Sequence, residues 1–299
     1  MKFRLFIAVF ISVTLIGSIA NALEIQFPSE DGFYIGKPMI YAVTGTVGDP
    51  SIIGQEGIYS FGPGKIILDS IEYYDCSFKI ADSDSAHFYL GIDSINNTMT
   101  QKGIKFGTTQ VNINPAIVTL KYPLFEGEKW DNKNNKTALN AKNLKFGDIE
   151  FPELNVDDVT VETNVSSSSI SVSAGNFSCL LVETVYKGNV FQIPVKLTQR
   201  TWMSEDNVPI KRNFELISDL LMKTPTVIYE MELSEPNPDP YDLNWDGVSN
   251  VLDLMIVTKH YGQNIQNVRI PNPDIDGNGI VDMNDMELMI AHFGEVYKK

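Results

Sequence analysis

Residues 242–253 read DLNWDGVSNVLD, with Asp or Asn at the first, third, fifth and ninth positions and Asp again at the twelfth. Gly247 stands at the sixth position, where a loop that gathers its own side chains around one point must turn sharply. Negative charges held this close repel each other unless a cation neutralises them. Oxygen ligands at this spacing suit calcium, so the stretch predicts a calcium-binding loop that runs into a helix.

The pattern occurs twice. Residues 274–285 read DIDGNGIVDMND and again place a glycine, Gly279, at the sixth position. Each loop precedes an apolar periodic segment of about three helical turns, which ends at Gly262 or Gly294. We therefore expect two loop–helix units that bind two Ca²⁺ ions. The predicted ligands are Asp242, Asn244, Asp246, the Val248 carbonyl, Asn250 and Asp253 in the first loop, and Asp274, Asp276, Asn278, the Ile280 carbonyl, Asp282 and Asp285 in the second.

The alternative is an acidic surface that is merely solvated, and it does not explain two matching loops with glycine at the same position. Both loops end in Asp, at Asp253 and Asp285, where an ordinary EF-hand has Glu. The shorter side chain must approach the ion more closely, which fits a module with one helix per loop.

The duplicated unit, over residues 240–297, resembles a dockerin domain, the calcium-dependent module that docks onto cohesin domains. The resemblance implies two antiparallel helices, a cohesin partner, and a contact surface that includes loop positions ten and eleven. Those positions are Val251, Leu252, Met283 and Asn284. Many dockerins carry Ser-Thr at these positions, so the type of cohesin that binds this chain stays open. The two copies carry different pairs of residues, Val-Leu and Met-Asn, which predicts one dominant docking orientation. Alternatively, Leu252 and Met283 pack inside the module.

The N-terminus, residues 1–22, has a basic start, an apolar run and an Ala-Asn-Ala ending. This pattern predicts a secretory signal peptide, with an uncleaved anchor as the alternative. No later stretch is apolar for long enough to span a bilayer, so we expect a secreted or surface-associated protein with no transmembrane anchor in its mature chain. The net charge of −15 argues against nucleic acid as a partner.

Residues 23–233 are rich in Val, Ile, Thr and aromatic residues in short periods, which predicts an exported β-rich domain, either an antiparallel sheet or a half-barrel. Lys187-Gly188 is predicted to be a hairpin turn, and 213–224 could be a short helix. The Pro-rich 234–240 predicts a linker, and 241–299 predicts a small all-α dockerin domain with two EF-hand-like loops. The clearest predicted strands are 159–165, 179–186, 189–202 and 226–233.

Three stretches of the large domain resemble uncharacterised exported β proteins with a half-barrel shape like that of lipoprotein carriers. They are LKYPLFEGEKW (120–130), SAGNFSC (173–179) and TWMSEDNVPIKR (201–212). The resemblance implies a curved sheet whose concave face could hold an apolar ligand. It supplies no catalytic residues.

Cys76 and Cys179 are the chain's two cysteines, and in an exported protein they could form a disulfide or remain as two buried thiols. Four Asn-x-Ser/Thr sequons fit a glycosylated surface protein, although such matches also arise by chance. The sequons are at Asn96, Asn135, Asn164 and Asn176.

No nucleophile elbow, zinc-protease motif or phosphate loop is present. The three histidines are His87, for which a surface or strand position is expected instead of a role as a base, and His260 and His292, for which helix-end packing or capping is expected. Two classes of function therefore remain. The first is a non-catalytic protein that docks through its dockerin and uses the β domain for ligand binding or display. The second is a carbohydrate-active enzyme, recruited to a polysaccharide-degrading complex, whose paired carboxylates only the structure could reveal.

Overall fold

The computed structural model describes residues 23–28, 37–46, 50–62, 64–80, 85–146, 149–190, 192–218, 222–235, 239–265 and 270–297. The predicted signal peptide lies outside the described residues. The helices are α1 (Val251–Lys259) and α2 (Met283–Ala291). The strands are β1 (Glu24–Ile25), β2 (Pro38–Thr46), β3 (Glu56–Ser60), β4 (Lys65–Leu68), β5 (Ile71–Ile80), β6 (Ala86–Asp93), β7 (Thr98–Phe106), β8 (Thr109–Lys121), β9 (Leu124–Phe125), β10 (Lys129–Asp131), β11 (Thr137–Phe146), β12 (Ile149–Val172), β13 (Gly175–Val190), β14 (Ile193–Ser204), β15 (Pro209–Ser218) and β16 (Met222–Leu233).

Twelve strands form a closed antiparallel barrel. Their order is β12-β11-β8-β7-β6-β5-β3-β2-β16-β15-β14-β13, and β13 pairs back onto β12 over thirteen residues, with 175–187 opposite 160–172. Strands β4 and β10 extend the barrel at β5 and β12, and β1 pairs with β9 in a separate two-stranded sheet. The predicted β-rich antiparallel fold is confirmed, with a sheet that closes completely instead of stopping at a half-barrel. Closure leaves no long edge strand exposed among the strands that the structure describes.

The barrel wall follows the two-residue period of its strands. On β14, Leu197 and Thr201 line the interior, whereas Lys196 and Arg200, which directly precede them, lie on the outer face. Successive side chains of a strand point to opposite faces, so one strand can present an apolar interior and a charged exterior.

Two local predictions are wrong. Lys187 and Gly188 lie inside β13, and a Cβ on Gly188 would come within 3.0 Å of Val156 Cγ1, so close packing instead of a turn explains this glycine. The described residues of 213–224 form no helix, because 213–218 belong to β15 and 222–224 belong to β16; the structure does not describe 219–221. The inward residues Phe214 and Leu216 alternate with Glu215, which is a strand period.

The main hydrophobic core fills one end of the barrel, which we call the plugged end. The chain leaves the barrel here after Leu233, and buried side chains such as Tyr41 and Ile210 pack with it. Trp245 and Ile270, from the region after the barrel, belong to the same cluster. The C-terminal region is therefore packed onto the plugged end through apolar contacts.

Polar contacts cross the same junction. Lys37 Nζ donates hydrogen bonds to the carbonyl oxygens of Asn244 and Trp245, at 2.6 Å each. The Ile270 amide donates to Asp206 Oδ2 at 3.0 Å, in the β14–β15 turn. The first calcium loop is thus held against the barrel at its third and fourth residues.

Cys76 and Cys179 are free thiols in the structure, and both are buried. Burial raises the pKa of each thiol to about 12, so the reactive thiolate is scarce at neutral pH.

Both thiols should resist a maleimide reagent in the native protein at pH 7, because they are buried and protonated. Denaturation without reductant should expose two reactive thiols per chain, counted by intact mass. If the two cysteines of the denatured protein reacted with maleimide only after reduction, that result would contradict the free-thiol state.

All four sequon asparagines are exposed, in turns and on outward strand positions. They are Asn96, Asn135, Asn164 and Asn176. Glycosylation at these positions remains a prediction that the structure permits.

Candidate calcium-binding and docking site

Each predicted calcium loop ends in a capped helix. Asn250 is the N-cap of α1 and accepts a hydrogen bond from the Leu252 amide, while Asp253 in the first turn accepts from the Asn250 amide. Asp282 and Asp285 repeat both contacts at α2. This reciprocal capping box determines where each helix begins.

The first loop folds around its own carboxylates. Asp242 is buried and accepts from the amides of Asp246 and Gly247, at 2.9 and 2.7 Å. Asp253 is fully buried and accepts from the Asn244 amide at 2.9 Å. Gly247 has φ +96°, a left-handed conformation that glycine adopts without strain. The backbone of residues 244–247 therefore wraps around the buried carboxylates of Asp242 and Asp253.

The other first-loop positions lie at its rim. Asn244 accepts from the Asp246 amide, and Asp246 accepts from the Val248 amide. The Val248 carbonyl, the predicted ligand at position seven, accepts from Asn250 Nδ2 at 2.9 Å.

The second loop repeats this arrangement. Carboxylate oxygens of Asp274, Asp276 and Asp285 all lie within 4.8 Å of one another. Asp285 is fully buried and accepts from the amides of Ile275 and Asp276, at 2.7 and 3.1 Å. Asn278 accepts from the Ile280 amide at 2.8 Å.

The donor set fits a hard cation. Asp274 Oδ1 is buried and has no hydrogen-bond partner among the described residues, which leaves it available to an ion. Burial raises the pKa of Asp242 and of Asp274, because the charged form is costly to desolvate without a counter-ion. Carboxylate, amide and carbonyl oxygens are the ligands that calcium prefers.

The two units are joined reciprocally by backbone pairing. Residues 247–249 pair with 294–297, beyond α2, and 279–281 pair with 262–265, beyond α1. A small core lies between the helices, formed by Leu243, Val257, Val281 and Met289. Since so small a core contributes little, the loops carry much of the module's stability.

The predicted docking residues are exposed at the first turns of the helices. Val251, Leu252 and Met283 keep 58%, 51% and 52% of their surface accessible, and Asn284 is also exposed. The alternative that Leu252 and Met283 pack inside the module does not hold in this structure.

Two exposed apolar residues extend this surface, and the sequence analysis did not single them out. Met255 is 60% exposed and follows Val251 by one helical turn, and Ile290 on α2 is 52% exposed. The four-residue spacing from Val251 to Met255 could have revealed the first of them.

The histidines lie where expected. His260 and His292 are the C-caps of α1 and α2, and the His292 ring stacks on Tyr241 with centroids 3.7 Å apart. His87 is on β6 and contacts Asp75 at 2.8 Å.

A second candidate site is a cavity of about 470 Å³ inside the barrel, which we call the lumen. None of the described residues that line it is Asp, Glu or His, and the single charged residue among them is Arg212. Aliphatic and aromatic side chains form most of the wall, including Leu90, Ile113, Val159, Val182, Leu197 and Phe214.

A shallow groove on the outer face collects carboxylates, but each of them has a cationic partner. Lys211 lies 2.6 Å from Glu232 and 3.2 Å from Glu230, and Arg200 lies 2.8 Å from Glu215. Burial would raise the pKa of Glu230, but its hydrogen bonds outweigh that effect and lower the pKa. Each carboxylate that the structure describes in this groove is therefore held in an ion pair with Lys211 or Arg200.

Among the described residues, no helix is long and apolar enough to cross a membrane. No curated protein and no solved structure matches the chain. Residues 240–294 match the family model of the dockerin type I domain. Dockerin type I domains bind calcium through duplicated EF-hand-like loops. With two such loops and two short helices joined reciprocally, the C-terminal region of this chain is a calcium-binding dockerin type I domain, and a dockerin implies a cohesin partner.

Proposed function

We propose that this protein is an exported component of a cohesin–dockerin assembly whose barrel binds an apolar ligand in its lumen. The dockerin attaches the chain to a cohesin-bearing partner, and the barrel supplies the binding activity. Export rests on the predicted signal peptide, and dockerin proteins are typically extracellular.

The observation that carries the ligand proposal is the apolar lumen. Its volume, about 470 Å³, falls within the ~300–1,000 Å³ typical of ligand pockets. Well-packed protein interiors leave few voids larger than a water molecule, so a cavity of this size is a departure from ordinary core packing. The free energy of an apolar ligand falls when it moves from water into contact with such an apolar wall.

Filling the lumen should abolish binding of a neutral apolar probe. N-phenyl-1-naphthylamine should bind the wild-type chain saturably, with increased fluorescence. Leu197→Trp places a large ring in the lumen and should weaken probe binding roughly tenfold or more, because it occupies the cavity.

Lys196→Trp is the matched control, since the neighbouring Lys196 is exposed on the outer face. It should leave the affinity within about twofold of wild type, as expected for a surface change away from the site. Two results would overturn the lumen proposal: no saturable probe binding to the wild-type chain, or an equal change of probe affinity in the two variants.

A further inference from the structure

Arg212 brings a positive charge into the apolar lumen. It lies on β15 and lines the cavity together with Phe214 and Leu216 of the same strand. The intervening residues Lys211 and Asn213 face the outer groove. The strand period therefore directs the Arg212 side chain inward, and the residue is partly exposed there.

No carboxylate that the structure describes forms a salt bridge with Arg212, and its buried Nε has no hydrogen-bond partner among the described residues. Arg200, on the outer face of the next strand, differs sharply: it pairs with Glu183 at 2.7 Å and with Glu215 at 2.8 Å. An uncompensated charge in an apolar surrounding is costly, so a counter-ion there stabilises the protein.

The neighbouring phenols do not supply that negative charge. The guanidinium carbon of Arg212 lies 5.1 Å from the centroid of the Tyr59 ring, in a cation–π contact that orients the guanidinium. Burial raises the pKa of Tyr59 to about 12, although the Arg212 charge opposes this. Burial also raises the pKa of Tyr41 and Tyr229, so all three phenols stay neutral at physiological pH.

A polar neighbour completes the position. Thr201 is the cross-strand partner of Arg212 and lines the lumen beside it. Its hydroxyl oxygen lies 3.5 Å from Gln199 Nε2, which donates to it, so the Thr201 hydroxyl proton can point to a ligand. Away from the plugged end, the wall beyond Arg212 continues with Phe214, Leu216 and Leu197, which are apolar.

We propose that the lumen binds a fatty acid, with its carboxylate at Arg212 and Thr201 and its alkyl chain along Phe214 and Leu216. One guanidinium matches one carboxylate in charge and in the spacing of its donors. A phosphate monoester would leave excess negative charge in the apolar cavity. This inference rests on the proposed lumen binding and names its ligand class.

The test compares three probes of equal chain length on the full-length protein: dodecanoate, dodecanol and dodecylamine, with affinities measured by calorimetry. The wild-type chain should bind dodecanoate at least tenfold more tightly than dodecanol, and dodecylamine most weakly. Arg212→Gln should lower dodecanoate affinity tenfold or more and leave dodecanol affinity within threefold. Arg212→Lys should retain part of the preference for the acid.

Arg200→Gln is the matched control, because it removes a guanidinium from the outer face and should leave all three affinities unchanged. The thermal midpoint of each variant reports its folding. If Arg212→Gln fails to fold, the order of the three affinities measured on the wild-type chain still tests the fatty-acid assignment. Dodecanol binding equal to dodecanoate binding would overturn the fatty-acid assignment and leave lumen binding intact. Binding of none of the three probes would overturn both.

Discussion

Replacing Asp285 with alanine should unfold α2 in the presence of calcium, and chelation should unfold both dockerin helices of the wild-type chain. Asp285 is fully buried, accepts hydrogen bonds from three backbone amides, and belongs to the acidic cluster with Asp274 and Asp276. Its loss removes a predicted calcium ligand and leaves those amides without acceptors. Losing one partner of a buried charged pair costs ~3–5 kcal/mol, which corresponds to a ~100-fold or greater rise in helix opening.

Hydrogen exchange with mass spectrometry on the full-length protein measures this opening directly. Peptides over α1 and α2 should lose protection when calcium is chelated, while peptides within β13 keep theirs. Glu287→Ala is the control, since Glu287 is exposed on the same helix and its removal changes the charge equally. Identical helix protection with and without chelator would contradict a calcium-dependent module.

The double substitution Val251→Asp and Leu252→Asp should weaken cohesin binding by about 2–4 kcal/mol, a ~30–1,000-fold loss of affinity. Both side chains are more than half exposed at the first turn of α1, beside the fully buried Asp253. The capping box holds the backbone there, so these side chains are presented rigidly and little entropy is lost on binding. Exposed apolar side chains suit the dry centre of an interface.

Calorimetry against the cohesin that binds the wild-type chain most tightly in a panel measures the loss. The double substitution Met283→Asp and Asn284→Asp should reduce cohesin affinity less. This second pair has only one apolar side chain, and we expect a single docking orientation to dominate. Ile95→Asp is the control, since Ile95 is 91% exposed in the turn between β6 and β7. Unchanged affinity of the Val251/Leu252 variant, with intact helix protection, would remove these residues from the interface.

The dockerin site could be predicted from the sequence because its chemistry is local. Twelve consecutive residues supply the ligands, and the positions of Asp242, Gly247 and Asp253 determine the loop whatever surrounds it. The second copy independently supports the first. In the structure both loops end in capping boxes and the predicted docking residues are exposed, while the calcium ligands and the docking contact stay predictions.

The large domain was predictable as β-rich and antiparallel, but not as a closed barrel. Alternation identifies strands but not their partners, and the closing pair of β13 with β12 depends on contacts throughout the fold. The same ambiguity explains the local errors. Lys187-Gly188 has turn-forming composition, yet Gly188 is needed for close packing against Val156. Residues 213–224 contain helix-forming residues, yet in the described parts, 213–218 and 222–224, pairing with neighbouring strands determines the structure.

The sequence by itself determined the loop–helix module and the β character of the large domain, and it predicted the calcium ligands, because each follows from spacing within a short segment. The tertiary structure alone decided that the sheet closes, that an apolar lumen remains inside it, and that the dockerin packs on the plugged end through Trp245 and Ile270. It also decided that Arg212 faces that lumen while Arg200 faces outward. The physical reason is that a strand has two faces, and only long-range pairing determines which face becomes the interior.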